Sequence, residues 1–92
     1  MYLEIISPEA TLFSGEVTSV AVPGVSGEFE MLKNHAQIVS LLKGGYVKIY
    51  GEITLDEDVE EKFTKGDDKG IWLEINSGTI EMKDNKIIVL AD

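Results

Sequence analysis

The chain has no cysteine, a single histidine and only two prolines. Without cysteine there are no disulfides, no thiolate nucleophile and no thiolate metal site, a composition that fits a reducing compartment. One histidine cannot build a zinc site unless three carboxylates complete it. No apolar run approaches the ~20 residues of a membrane span. The N-terminus lacks the charged start and apolar block of a signal peptide, so export is not expected. Positive charge is also scarce: eight Lys and Arg face seventeen Asp and Glu, for a net charge of −9. Binding to nucleic acid or anionic lipid needs clustered cations, and no basic run exists, so neither nucleic acid nor direct lipid insertion is expected. A protein partner with a basic patch is favoured electrostatically, mainly through its association rate. The same charge also maintains solubility.

Ninety-two residues make one domain, 1–92. A chain of this length buries roughly 60–65% of its unfolded surface, enough for one modest core and too little for a large internal active-site cavity. Tyr2–Ile6 reads as a strand broken by Ser7-Pro8, and Leu12–Gly15 as a second. Val17–Val22 is a β-rich run stopped by Pro23. Glu28–Met31, Tyr46–Tyr50, Ile71–Ile75 and Thr79–Met82 alternate, and Lys86–Leu90 follows the turn Asp84-Asn85. Short strands separated by Gly, Asn, Asp and Ser predict an all-β sandwich or barrel.

Two segments are ambiguous. Phe29, Leu32, Ala36 and Val39 match a helical seam, with Asn34 as a cap and Gly44-Gly45 as a stop, so local signals support a short helix over 35–43. Val39 and Leu41, with Ser40 between them, fit a strand equally well. In residues 51–69, Val59 and Phe63 fit one helical turn, Val59–Phe63 fits an edge strand, and Ile53 and Leu55 alternate as in a hairpin. Lys65–Gly70 reads as a turn.

The stretch with most local shape is Val22–Ala36. Pro23-Gly24 suits the central positions of a type II turn, and Gly27 marks a second bend. Catalytic readings fail one by one. Ser26 and His35 lack a G-x-S-x-G elbow. Pro23-Gly24-x-x-Gly27 lacks the G-K-[ST] of a phosphate loop. Asp56, Asp58 and Glu60 have the alternate spacing of a calcium loop, but its sixth position needs glycine and is Glu61 here. Trp72 is expected to pack in the core or against a hairpin. What remains is a shaped loop presented by a sheet, which points to binding.

Several segments in order carry a resemblance. Leu3–Glu9, Leu12–Val17 with its F-x-G-x-V element, and Val22–Phe29 with P-G-x-x-G-E-[FL] are similar to the N-terminal β-sandwich domain of the epsilon subunit of F-type ATP synthases. Leu32, His35 and Ala36 follow at that family's spacing, as do Leu42–Ile49, Gly78 and Ile88–Asp92. The resemblance implies a flattened two-sheet β-sandwich or barrel of about ten short strands, with residues 51–69 as an inserted acidic hairpin or loop. It makes 38–42 a strand. The family usually has proline where this chain has Gln37, which leaves that corner less constrained. The chain stops at Asp92, where the family's C-terminal helical hairpin normally begins. A chain without that arm would lack the inhibition and ATP binding that the arm supports.

The resemblance also implies a role. Such a protein is a non-catalytic rotor subunit without a cofactor, on the cytoplasmic face of the bacterial inner membrane. It docks the gamma subunit onto the polar loops of the c-ring and couples ion flow to rotation. Ser26, Gly27, Glu28 and Phe29 match the ring-facing loop, with Glu28 as acceptor for a basic ring residue. Ser7, His35 and Ser40 match positions near gamma. The competing reading is a small acidic β-sandwich binding module, calcium- or carbohydrate-dependent, motivated by the acids of 52–69.

Overall fold

A computed structural model describes residues 1–92. Ten strands follow one another: β1 (Tyr2–Ile6), β2 (Thr11–Glu16), β3 (Ser19–Gly24), β4 (Gly27–Leu32), β5 (Ile38–Leu42), β6 (Gly45–Tyr50), β7 (Phe63–Lys65), β8 (Ile71–Ile75), β9 (Gly78–Lys83) and β10 (Lys86–Ala91). A single 3-10 turn, Glu60–Lys62, precedes β7. The hydrogen-bonding order is β2-β1-β10-β9-β5-β3-β6-β8-β7, with β4 on the free side of β3. Only β1 and β10 run parallel.

The curl into two layers is made by β3. Its Ser19–Ala21 half pairs with β6, whereas Gly24 alone pairs with Leu42 of β5. One layer is therefore β2-β1-β10-β9-β5 and the other β4-β3-β6-β8-β7. Alternation sends Leu3, Ile5, Ile80, Met82, Ile87 and Val89 inward from the first, and Val20, Val22, Met31, Val47 and Ile49 from the second. All are buried in one continuous core.

Pro23-Gly24 is not the turn that its dipeptide suggests. Both residues lie in β3, opposite Glu28 and Gly27, and the connecting residues are Val25-Ser26. Proline is tolerated because of where its missing N–H would point. A strand residue's N–H and C=O face the same side, and the Pro23 carbonyl accepts from Lys43 N (2.8 Å). That side is the gap where pairing with β6 has ended at Ala21 and pairing with β5 begins only at Gly24. A donor is dispensable there.

The helix over 35–43 does not form. Ile38–Leu42 joins β9 in a ladder from Ile38–Met82 to Leu42–Gly78, so its backbone groups are satisfied as a strand. The helical seam dissolves, since Phe29 packs against the core while Leu32, Ala36 and Val39 are exposed. In 51–69, no hairpin forms at Ile53–Leu55. Asp56 O caps a turn from Val59 N (3.1 Å) and Glu60 N (2.9 Å), and buried Val59 anchors the segment to the core. Phe63–Lys65 then adds to β8 as an edge strand, and Gly66–Gly70 turns back.

Candidate docking site

Strand register sorts the expected contact residues between the two ends of the sandwich. The Val25-Ser26 tip follows the Gly24–Gly27 pair, which lies beside Leu42, Gly78 and Ala91. Ser7 follows Ile6, the partner of Leu90, and so lies at this same end. His35 lies at the opposite end, after Leu32, whose partner is Ser19 at the start of β3. Of the three residues expected to face gamma, Ser7 and His35 are thus separated by the length of the sheet. Ser40 lies between, on the inward face of β5 opposite buried Ile80. Its hydroxyl donates to Leu41 O (3.3 Å), and the Ser7 hydroxyl donates to Ala10 O (3.1 Å).

The corner carrying His35 is pinned from afar. Asn34 takes a left-handed conformation (φ 66°) and its N–H donates to Asn85 Oδ1 (2.6 Å). Asn85 Nδ2 returns a bond to Asn34 Oδ1 (2.8 Å). The exposed His35 ring places Nδ1 2.8 Å from Ala36 O.

Within Ser26–Phe29, alternation splits the group. Ser26 is exposed in the turn, Glu28 projects outward and Phe29 turns to the core. Gly27 has φ 129°, the left-handed side of the map that favours glycine. Glu28 is already paired: Lys48 Nζ lies 2.9 Å from its Oε1. Beside it, Glu30 Oε2 accepts from Ser19 Oγ (2.9 Å).

Two features escape a reading of single residues. One is an exposed apolar row. Leu41, Thr79 and Leu90 are successive cross-strand partners on the outer face of β5, β9 and β10. Val25 N donates to Leu41 O (3.3 Å), which joins the hairpin tip to that row. Val25, Leu41 and Leu90 are 56%, 62% and 51% exposed, and Val39, two residues from Leu41 on the same face, is 71% exposed. The signal was available: Val39–Leu42 puts apolar side chains on both faces of one strand. Val25, Leu41, Thr79 and Leu90 surround an open depression of about 420 Å³ with Ser77 and Asp92 at its edge.

The other is a hydrogen-bonded turn at the opposite end. Asp68 accepts from Tyr50 OH (2.5 Å), Gly70 N (3.0 Å) and Trp72 Nε1 (3.1 Å). The Tyr50 bond holds the Asp68 carboxyl below its ordinary range, and the same bond pushes the Tyr50 phenol up to about 12. The indole rests against Gly66 and Gly70, so Trp72 packs on the hairpin rather than in the core. No three His, Asp or Glu side chains gather closely enough to hold a metal ion, and no helix is long and apolar enough to cross a membrane.

The whole chain, residues 1–92, matches the family described as ATP synthase, Delta/Epsilon chain, beta-sandwich domain. It is 37% identical over 92 residues to the ATP synthase epsilon chain of Campylobacter concisus, covering all of this chain and 60% of that one. It is 36% identical over 90 residues to the epsilon chain of Chlorobium limicola, covering 98% of this chain and 86% of the relative. Against the Campylobacter relatives it thus spans about 60% of their length. The fold recurs in the Tetrahymena thermophila mitochondrial ATP synthase central stalk and c-ring structure, with a TM-score of 0.74 at 10% identity over 98% of this chain and 61% of that one. It recurs in the Euglena gracilis enzyme with a TM-score of 0.71 at 14% identity, over 97% and 48%. The chain belongs to the ATP synthase delta/epsilon family and carries the β-sandwich domain of an epsilon chain.

Proposed function

We propose that the domain is a non-catalytic coupling element of the rotor in a proton-translocating ATP synthase. It docks the gamma subunit and rests on the polar loops of the c-ring, peripheral to the cytoplasmic face of the bacterial inner membrane. The carrying observation is the exposed row of Val25, Leu41 and Leu90, continuous with the hairpin that bears Glu28. Contiguous apolar exposure beside a charged rim is the anatomy of a protein-binding surface. The apolar row is the seat for gamma, and the Glu28 end meets a cationic ring loop through a charge-assisted bond. Both belong to the same end of the sandwich, on the outer faces of its two layers. Epsilon-chain membership and the central stalk and c-ring named for the Tetrahymena structure support this assignment.

Pull-down with the cognate gamma subunit tests the seat. Leu41→Lys should abolish a complex that wild type forms at micromolar concentration; absence of the wild-type complex, with both proteins folded, refutes the proposal. ATP-driven proton pumping in reconstituted membranes tests the ring contact. Glu28→Lys should weaken coupling more than Glu57→Lys, whose site follows the Tyr50 end of β6. Equal effects would show that the hairpin is not ring-facing.

A further inference from the structure

Glu28 is not a free carboxylate waiting for a partner, and the way it is held points to a residue outside the hairpin. Register places Glu30, Ala21, Lys48 and Trp72 in one cross-strand row on the outer face of β4, β3, β6 and β8. Lys48 would be expected to meet Glu30 in its own row. Instead Glu30 accepts from Ser19 Oγ, at the other end of β3. Lys48 crosses small Ala21 and Pro23 diagonally and reaches Glu28, 2.9 Å away. Its ammonium lies 4.5 Å from the centre of the Trp72 ring. Trp72 is itself fixed by its bond to Asp68 and by Tyr46, whose ring centre is 5.4 Å away. The side chain of Lys48 is only 21% exposed, against 51% for Glu28.

We propose that Lys48, held on the face of Trp72, is the positioning residue that orients Glu28 for its partner. A cation on an aromatic face gains a direction that a solvated lysine lacks. Its bond to Oε1 fixes the carboxylate and leaves the exposed remainder of the group to the docking contact. The proposal rests on the ring-facing reading of Glu28 for its purpose, but not for its geometry. It makes an unusual demand on sign. If Lys48 were only a nearby positive charge, its removal would strengthen attraction for a cationic loop. If it positions Glu28, its removal weakens docking despite the more favourable net charge.

Two measurements separate these outcomes. Trp72 is the only tryptophan, so its emission in the isolated chain reports on Lys48. Glu28→Gln should change that emission in the wild-type background and leave it unchanged in a Lys48→Met background. An equal change in both backgrounds, or none in either, overturns the positioning. Binding to the reconstituted gamma and c-ring assembly should weaken about two- to fivefold in Lys48→Met, the scale of a partly exposed ion pair. Lys48→Arg, which keeps stacking and pairing, should restore it. Tighter binding by Lys48→Met overturns the proposal as well. If wild type does not bind the assembly, the ring-facing reading fails and the emission cycle alone decides the positioning. Urea midpoints confirm that each variant is folded.

Discussion

Gly24 and Gly27 face each other across the hairpin, yet they should resist alanine for opposite reasons. A Cβ on Gly24 would lie 2.8 Å from Gly27 O, 2.8 Å from Phe29 Cε1 and 3.0 Å from Phe29 Cδ1. The backbone oxygen cannot yield without moving the hairpin, and the ring is partly packed into the core. Overpacking of this kind costs about 1–3 kcal/mol. Alanine also restricts the unfolded chain, which offsets about 0.4–1 kcal/mol. Gly24→Ala should therefore destabilise by about 1–2 kcal/mol net. At about 4–8 °C per kcal/mol for a domain this small, the melting temperature falls by roughly 5–15 °C. Around Gly27 there is open space, with nothing within 4 Å, but φ is 129°. Its alanine meets no neighbour and suffers strain of about 1–3 kcal/mol, less the same offset. Shortening the ring by Phe29→Leu separates the two causes. In that background the cost of Gly24→Ala should shrink and that of Gly27→Ala should persist. Urea unfolding followed by Trp72 emission, read as midpoints at constant m, measures all of these. An undiminished Gly24→Ala cost beside leucine would refute the ring contact, and a Gly27→Ala variant more stable than wild type would refute the strain.

The Tyr50–Asp68 bond should govern both extremes of pH. From neutral pH up to the ordinary phenol value of 10, Tyr50 is protonated in both states and the bond contributes fully. As pH rises towards about 12 the unfolded chain loses this proton while the folded chain keeps it, so stability falls. In acid, the depressed Asp68 stays charged while its unfolded counterpart protonates, so its contribution is lost as pH falls through the lowered value. Asp68→Asn should bring the late phenol in a 295 nm titration back towards 10; a titration still centred near 12 would refute the assignment. Millimolar calcium should leave the melting temperature unchanged, because no trio of carboxylates is gathered. A rise with calcium concentration would favour the binding-module reading instead.

The strands were legible wherever alternation met a turn signal, as in Tyr46–Tyr50, Thr79–Met82 and Lys86–Leu90. Pro23-Gly24 misled because turn propensity is a statement about four consecutive residues. The reason proline fits a strand here is a gap between β6 and β5, strands that come later in the chain. The 34–43 segment was undecided locally for a related reason, although the resemblance made 38–42 the strand that forms. Its helical and extended patterns are nearly equal locally, and β9, some forty residues on, supplies the ladder that decides. Asn34 and Asn85, 51 positions apart, pin the corner before Gln37 by reciprocal bonds.

The candidate site follows the same division. That Glu28 would be exposed near a shaped loop could be read from Gly27-Glu28-Phe29 alone, since alternation sends Phe29 inward and its neighbour out. That Glu28 is engaged could not be read. Its partner Lys48 is twenty positions away in a different strand and shares its cross-strand row with Glu30, beyond Ala21, rather than with Glu28. Ser19 diverts Glu30, small Ala21 lets the lysine pass, and Trp72 holds it. A family motif located the carboxylate; cross-strand chemistry that the motif does not contain determines how that carboxylate is presented. If Glu28 docks as proposed, a variant that preserves the whole motif can therefore still weaken docking, through Lys48, Trp72 or Asp68.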